Sequence, residues 1–97
     1  MNLTTEEITE NITELSLALT RLNDAELTSC FFKELFTKPE YSRIAARWAL
    51  LKSLNKKVPQ REIAKKLGVS LCKITRGSRE LRSENSVLKQ MLSEISS

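Results

Sequence analysis

Residues 60–82 read QREIAKKLGVSLCKITRGSRELR, and the fold of the whole chain turns on how this stretch is read. Its pattern predicts two short helices, Gln60 to Leu67 and Leu71 to about Arg82, with Gly68-Val69-Ser70 as the corner between them. Gly68 can adopt a left-handed backbone without a Cβ clash and so end the first helix. Ser70 is suited to cap the second, because its hydroxyl can accept an orphan backbone N–H. Ile63, Leu67, Val69, Leu71 and Ile74 supply apolar contacts for two steeply crossed helices, and Ala64 is small where they must approach. This is the pattern of a DNA-binding helix-turn-helix. Arg61, Lys65, Lys66, Lys73, Arg76, Arg79 and Arg82 stand against only two acids, Glu62 and Glu80. A plain helical hairpin with a solvated basic face would carry the same charges. The coincidence of a glycine turn, a small residue and an N-cap with those charges favours the helix-turn-helix.

A chain of 97 residues has room for one domain and a modest core. Aromatic residues make up only 5% of it, so that core is aliphatic, and burial between subunits becomes attractive. The net charge of +4 hides a strong polarity. Residues 1–37 carry two bases and seven acids, a balance of −5. Residues 38–82 carry thirteen bases and three acids, or +10, and residues 83–97 one base and two acids, or −1. Such a distribution suits a molecule with one end turned to phosphates. No run is long enough to span a membrane, and the opening MNLTTEEITE lacks the basic and apolar regions of a secretory signal. The expected location is the cytoplasm.

Histidine is absent, and Cys30 and Cys72 do not form a CxxC pair, so no metal site is expected. Neither a nucleophile motif nor a phosphate-binding glycine loop occurs. No catalytic residue is assigned, and the chain is not expected to be an enzyme. The cysteines are expected to be buried as small hydrophobes.

Upstream, Thr4 and Glu7 are spaced as a capping box for a first helix. Ile8, Ile12, Leu15, Leu19 and Leu22 then form a heptad-like seam, widened by Leu17. Packing within one chain would explain it, but its length for so small a domain favours a partner subunit. Asn23-Asp24 introduces a short helix through Leu27, Phe31, Phe32, Leu35 and Phe36, which stops before Pro39. Pro39 fits the first turn of a third helix bearing Ile44, Ala45, Trp48, Leu51 and Leu54 on one face, with Arg43, Arg47 and Lys52 pointing elsewhere. Trp48 reads as a core anchor. Ser83 is placed to cap a final helix with Val87, Leu88, Met91, Leu92 and Ile95 as its apolar stripe. The expectation is an all-α chain of six helices.

Ile74-Thr75-Arg76-Gly77-Ser78 in the second helix of the motif, Gln60-Arg61-Glu62 in the first, the six-helix order and the length together resemble the tryptophan-responsive Trp repressor family. The match is close from Arg47 to Leu81 and architectural outside it. That family is itself a reference case for a recognition helix in the major groove and for water-mediated base contacts. The resemblance implies an intertwined homodimer with a helix-turn-helix head, in which residues 1–58 and 83–97 make the dimer core and residues 59–82 the DNA reader. It implies L-tryptophan as corepressor, double-stranded operator DNA as partner, and no metal or membrane. By position, Arg47 and Arg76 look like the arginines that sandwich the indole, with Arg76 able to pair with the ligand carboxylate. Leu35, Thr37 and Lys38 look like the positions whose carbonyls hold the amino group from the other subunit, and Glu80 stands beside the ligand in place of a serine. Arg61 looks like the base-reading arginine. Gln60, Ser70, Leu71, Cys72, Lys73, Thr75 and Arg76 complete the DNA-facing set.

Gly77 is the eighteenth position counted from Gln60, where many helix-turn-helix proteins place a branched core residue. A mid-helix glycine costs about 1 kcal/mol relative to alanine. Either it leaves space for a ring, in which case valine there would abolish ligand binding and spare the fold, or it permits a close helix contact. The function expected is a tryptophan-dependent repressor of tryptophan biosynthesis or salvage genes. The alternative is a constitutive helix-turn-helix binder of the same superfamily.

Overall fold

A computed structural model describes residues 2–96, and among them there are helices but no strand. In chain order these are α1 (Thr5–Leu22), α2 (Ala25–Leu35), α3 (Lys38–Asn55), α4 (Gln60–Leu67), α5 (Leu71–Arg82) and α6 (Val87–Ser96). The all-helical class and the six-helix order are those the sequence predicts. The chain divides into two compact units that meet between Tyr41 and Ser42.

Local chemistry sets the helix limits in the first unit. The Thr4 hydroxyl accepts from the Glu7 N–H at 3.1 Å while the Thr4 N–H donates to Glu7 Oε1 at 2.9 Å, a reciprocal capping box. Those two hydrogen bonds from Thr4 hold the Glu7 carboxyl below the usual carboxylate range. Asn23 ends α1 in the left-handed region at φ 44°, and the Asp24 carboxylate caps α2 through the Leu27 N–H at 3.0 Å. A second box, Thr37 with Glu40, opens α3 and carries Pro39 in its first turn. Neither α1 nor α2 has a buried residue. Leu15 and Leu19 of the seam are half-buried, whereas Ile8, Ile12, Leu17 and Leu22 are exposed. On α2 the half-buried rings of Phe31, Phe32 and Phe36 lie 5.8 and 5.9 Å apart in sequence.

The second unit is built on α3. Leu50 and Leu51, neighbours about 100° apart around the helix axis, enter two different clusters. Leu50 packs with Ile63 of α4 and Ile74 of α5, and Leu54, Val58, Ala64, Leu67 and Val69 surround them. Leu51 packs with Leu81 of α5 and Leu92 of α6, beside Trp48, Leu54 and Leu88. Trp48 is thus the core anchor the sequence indicates. Gly68 closes α4 at φ +64°, and Ser70 caps α5 by accepting from the Lys73 N–H at 3.4 Å.

Several expectations are corrected. Leu71 is 57% exposed and does not hold the α4–α5 corner together. Ser83 terminates α5, and Ser86 caps α6 through the Lys89 N–H at 3.3 Å. Cys30 and Cys72 are exposed, not buried. Of the α6 stripe only Leu92 is buried and Leu88 half-buried, while Val87, Met91 and Ile95 face outward.

The end of α3 has one backbone irregularity. The Lys57 N–H donates to the Leu54 carbonyl and the Val58 N–H to the Ser53 carbonyl, each at 3.0 Å. This is the Schellman pattern, and it places Lys57 at φ 62° where glycine is usual. A left-handed lysine costs about 1–2 kcal/mol, while glycine's greater unfolded-state freedom costs about 0.5–1 kcal/mol. Lys57→Gly should therefore raise stability by up to about 1 kcal/mol. Urea unfolding followed by circular dichroism checks it, and an unchanged or lower midpoint would mean the motif is not formed.

Candidate functional site

One face of α3 and one face of α5 enclose a cleft of about 720 Å³, within the usual size range of small-molecule sites. From α3 come Ser42, Arg43, Ala46, Arg47, Leu50 and Leu51. The corner contributes Leu67, Gly68 and Val69, α6 contributes Leu88, and α5 contributes Lys73, Arg76, Gly77 and Glu80. The α5 positions recur at three, four and seven residues from Lys73, so they form one helix face. Five branched apolar side chains line the cleft together with four cations, Arg43, Arg47, Lys73 and Arg76, and one acid, Glu80. An apolar surface with an excess of guanidinium and ammonium groups suits a compact ligand that has an apolar body and a carboxylate. A second depression of about 340 Å³ is lined by α6 alone, through Gln90, Met91, Glu94 and Ile95. It has no facing wall and no cation.

Of the ligand residues expected from sequence, the cleft brings together Arg47, Arg76, Gly77 and Glu80. Arg47 and Arg76 come from different walls and both are exposed. Leu35, Thr37 and Lys38 belong to the first unit, and all three are exposed. There the Thr37 carbonyl accepts from the Tyr41 N–H at 2.9 Å, which leaves one lone pair free. Arg43 was not expected in the site, because its side chain reads as pointing away from the core. Its place one turn before Arg47 is the sequence signal that identifies it.

Gly77 is buried, and its surroundings explain why. A Cβ built there would lie 3.2 Å from Leu54 Cδ1, 3.5 Å from Leu51 Cδ2 and 3.6 Å from Leu50 Cδ2. The space beside the glycine is therefore filled by α3, and its missing side chain lets α5 approach that helix. The cleft floor follows from this approach. Valine's tolerance by the fold, expected from helix propensity alone, is overturned by these three leucines.

The residues of the expected DNA-facing set all lie on the surface: Gln60 and Arg61 in the first turn of α4, Ser70, Leu71, Cys72, Lys73, Thr75 and Arg76 at the start of α5. No side chain caps α4, so its first N–H groups are open to an outside acceptor. The Ser70 hydroxyl oxygen accepts from Lys73, which leaves its own proton to donate. Thr75 has already given its proton to the Leu71 carbonyl at 2.9 Å. Lys73 and Arg76 belong both to this surface and to the cleft. Among the described residues no helix is long and apolar enough to cross a membrane.

Comparison with known proteins gives two matches. The family model described as Trp repressor protein matches residues 10–96. A protein of Chlamydia caviae named "Trp operon repressor homolog" is 36% identical over 66 residues, which is 67% of this chain and 65% of that protein. The chain thus spans just under two thirds of that relative's length. No solved structure matches significantly.

Gly77 gives a stability test of the α3–α5 contact. Alanine asks only that the end of the Leu54 side chain yield by a few tenths of an ångström, and helix propensity returns up to about 1 kcal/mol. Gly77→Ala should unfold within about 1 kcal/mol of the parent. Gly77→Val pushes two further methyl groups into Leu50, Leu51 and Leu54 and should lose about 1–3 kcal/mol. A valine variant with parental stability in urea would contradict the close approach.

Proposed function

The chain belongs to the Trp repressor family, and from that premise we propose that it is a homodimeric repressor that binds operator DNA when L-tryptophan occupies the α3–α5 cleft. The observation that carries the proposal is the double use of α5. One of its faces lines the cleft through Lys73, Arg76, Gly77 and Glu80, and its exposed start carries the basic, hydroxyl-bearing surface expected to meet DNA. A ligand seated against α3 and α5 contacts the helix that must enter the groove. It can then favour one orientation of that helix, and its effect on DNA affinity is set by its preference for that orientation.

In this reading the indole lies on the apolar floor between Arg47 and Arg76, whose guanidinium planes suit stacking on a ring. Burial of roughly 200 Å² of indole is worth up to ~5 kcal/mol gross, an affinity fit for a sensor of changing concentration. Arg76 takes the carboxylate, and carbonyls of Leu35, Thr37 and Lys38 from the second subunit meet the ligand's amino group. The exposed apolar residues of α1, α2 and α6 would be covered in that dimer. Arg61 offers its fork to guanine O6 and N7. Gln60, Ser70, Lys73 and Arg76 hold phosphates. Thr75, its proton committed within the helix, accepts from a bridging water. Leu71 and Cys72 contribute small contacts at the helix tip. No catalytic step and no metal enter the mechanism. The function is feedback in the cytoplasm, in which tryptophan silences genes for its own synthesis or salvage.

A titration of selected duplex DNA with and without L-tryptophan tests the proposal. Saturating ligand should tighten specific binding by about 5–150-fold, the usual range of coupling between sites. At saturating tryptophan, Arg61→Ala should relax discrimination at one base pair per half-site by about 1–3 kcal/mol. Under the same conditions Lys73→Ala should weaken all duplexes alike and lower the salt slope by roughly one. Specific binding that ignores tryptophan would leave the constitutive binder as the better account.

A further inference from the structure

Four of the five charged side chains around the cleft are cations, and the exception is Glu80. A site made only to hold a carboxylate gains nothing from a carboxylate of its own, because like charges at short range oppose binding. Glu80 nevertheless shares the α5 face with Arg76, Gly77 and Lys73, and it follows Arg76 by four residues. Such neighbours have Cβ atoms about 5–6 Å apart. An arginine and a glutamate at that spacing can hold a carboxylate and an ammonium group that share one carbon atom. That pair of groups is the head of an α-amino acid. We infer that Glu80 makes the cleft selective for zwitterionic amino acids, by binding the ligand's ammonium group beside the carboxylate held by Arg76. The inference rests on the ligand reading proposed above and adds the residue that decides between an amino acid and its deaminated analogue.

The physical consequence is a penalty for any ligand that brings a carboxylate without an amino group. Such a ligand meets the cations but also faces an uncompensated Glu80. The zwitterion satisfies both. A competing role for Glu80, as an exposed partner of Arg76 along the helix, would contribute little and would not distinguish between ligands.

Calorimetric titration of the full chain with L-tryptophan and with indole-3-propionate, which has the same ring and carboxylate but no amino group, decides the matter. The parent should prefer tryptophan by roughly tenfold or more, the worth of one charge-assisted hydrogen bond. Glu80→Gln is an exposed change of nearly equal shape. It should narrow that preference to about twofold or less, weakening tryptophan and leaving indole-3-propionate equal or tighter. A parent protein that binds the two compounds equally would overturn the inference without reference to any variant. So would a Glu80→Gln protein that keeps the parental preference. If neither compound binds the parent, the tryptophan reading itself fails. Binding without discrimination removes only the role given to Glu80.

Discussion

The nearest atom to a Cβ placed on Gly77 would be Leu54 Cδ1, at 3.2 Å, and the second unit depends on that close approach of α5 to α3. Ile74 lies one turn before the glycine and Leu81 one turn after it. Each fills a different cluster, with Leu50 on one side and Leu51 on the other. Leu54 touches both clusters. Two adjacent leucines on α3 thereby fix α4, α5 and α6 at once. A larger residue at position 77 would spread α5 from α3 and disturb both clusters together. This explains a mid-helix glycine whose propensity cost is otherwise unrewarded.

The same approach makes the cleft. Packing at Gly77 and its flanking leucines leaves the N-terminal part of α5 and the middle of α3 facing each other across Arg47 and Arg76. The floor is apolar because it is the outer surface of the clusters, Leu50 and Leu51 among them. The rim is cationic because the chain concentrates its bases in residues 38–82. Ligand site and DNA-facing surface are therefore not separate devices in need of a connecting path. They are neighbouring faces of one helix, and Lys73 and Arg76 contribute to both.

Features set by near neighbours in sequence were legible before any coordinates. The Thr4–Glu7 box, the Gly68 turn, the Ser70 cap and the placement of Pro39 all depend on groups a few residues apart. The helical periods identified the core residues Ile63, Ile74, Leu51 and Leu92 for the same reason. What escaped depends on a third dimension. Leu71 is apolar at a helix start, yet it turns outward. Cys72, two residues into α5, is likewise exposed. Gly77 could have been a cavity or a contact, and only the positions of three leucines on another helix decide between them. Arg43 was read as a surface charge because nothing local shows that α5 lies across from it. The seam on α1 was legible as apolar, but the sequence does not say what covers it.

The central claim is that a ligand enters between α3 and α5 and acts on α5 directly. Amide chemical shifts of the isotopically labelled protein, recorded through a titration with L-tryptophan, test it most directly. The account predicts the largest changes at Arg43 and Arg47 on one wall and at Lys73, Arg76, Gly77 and Glu80 on the other. These should extend along the exposed start of α5. Saturable changes confined to residues outside that cleft, with the α5 amides unmoved, would contradict it.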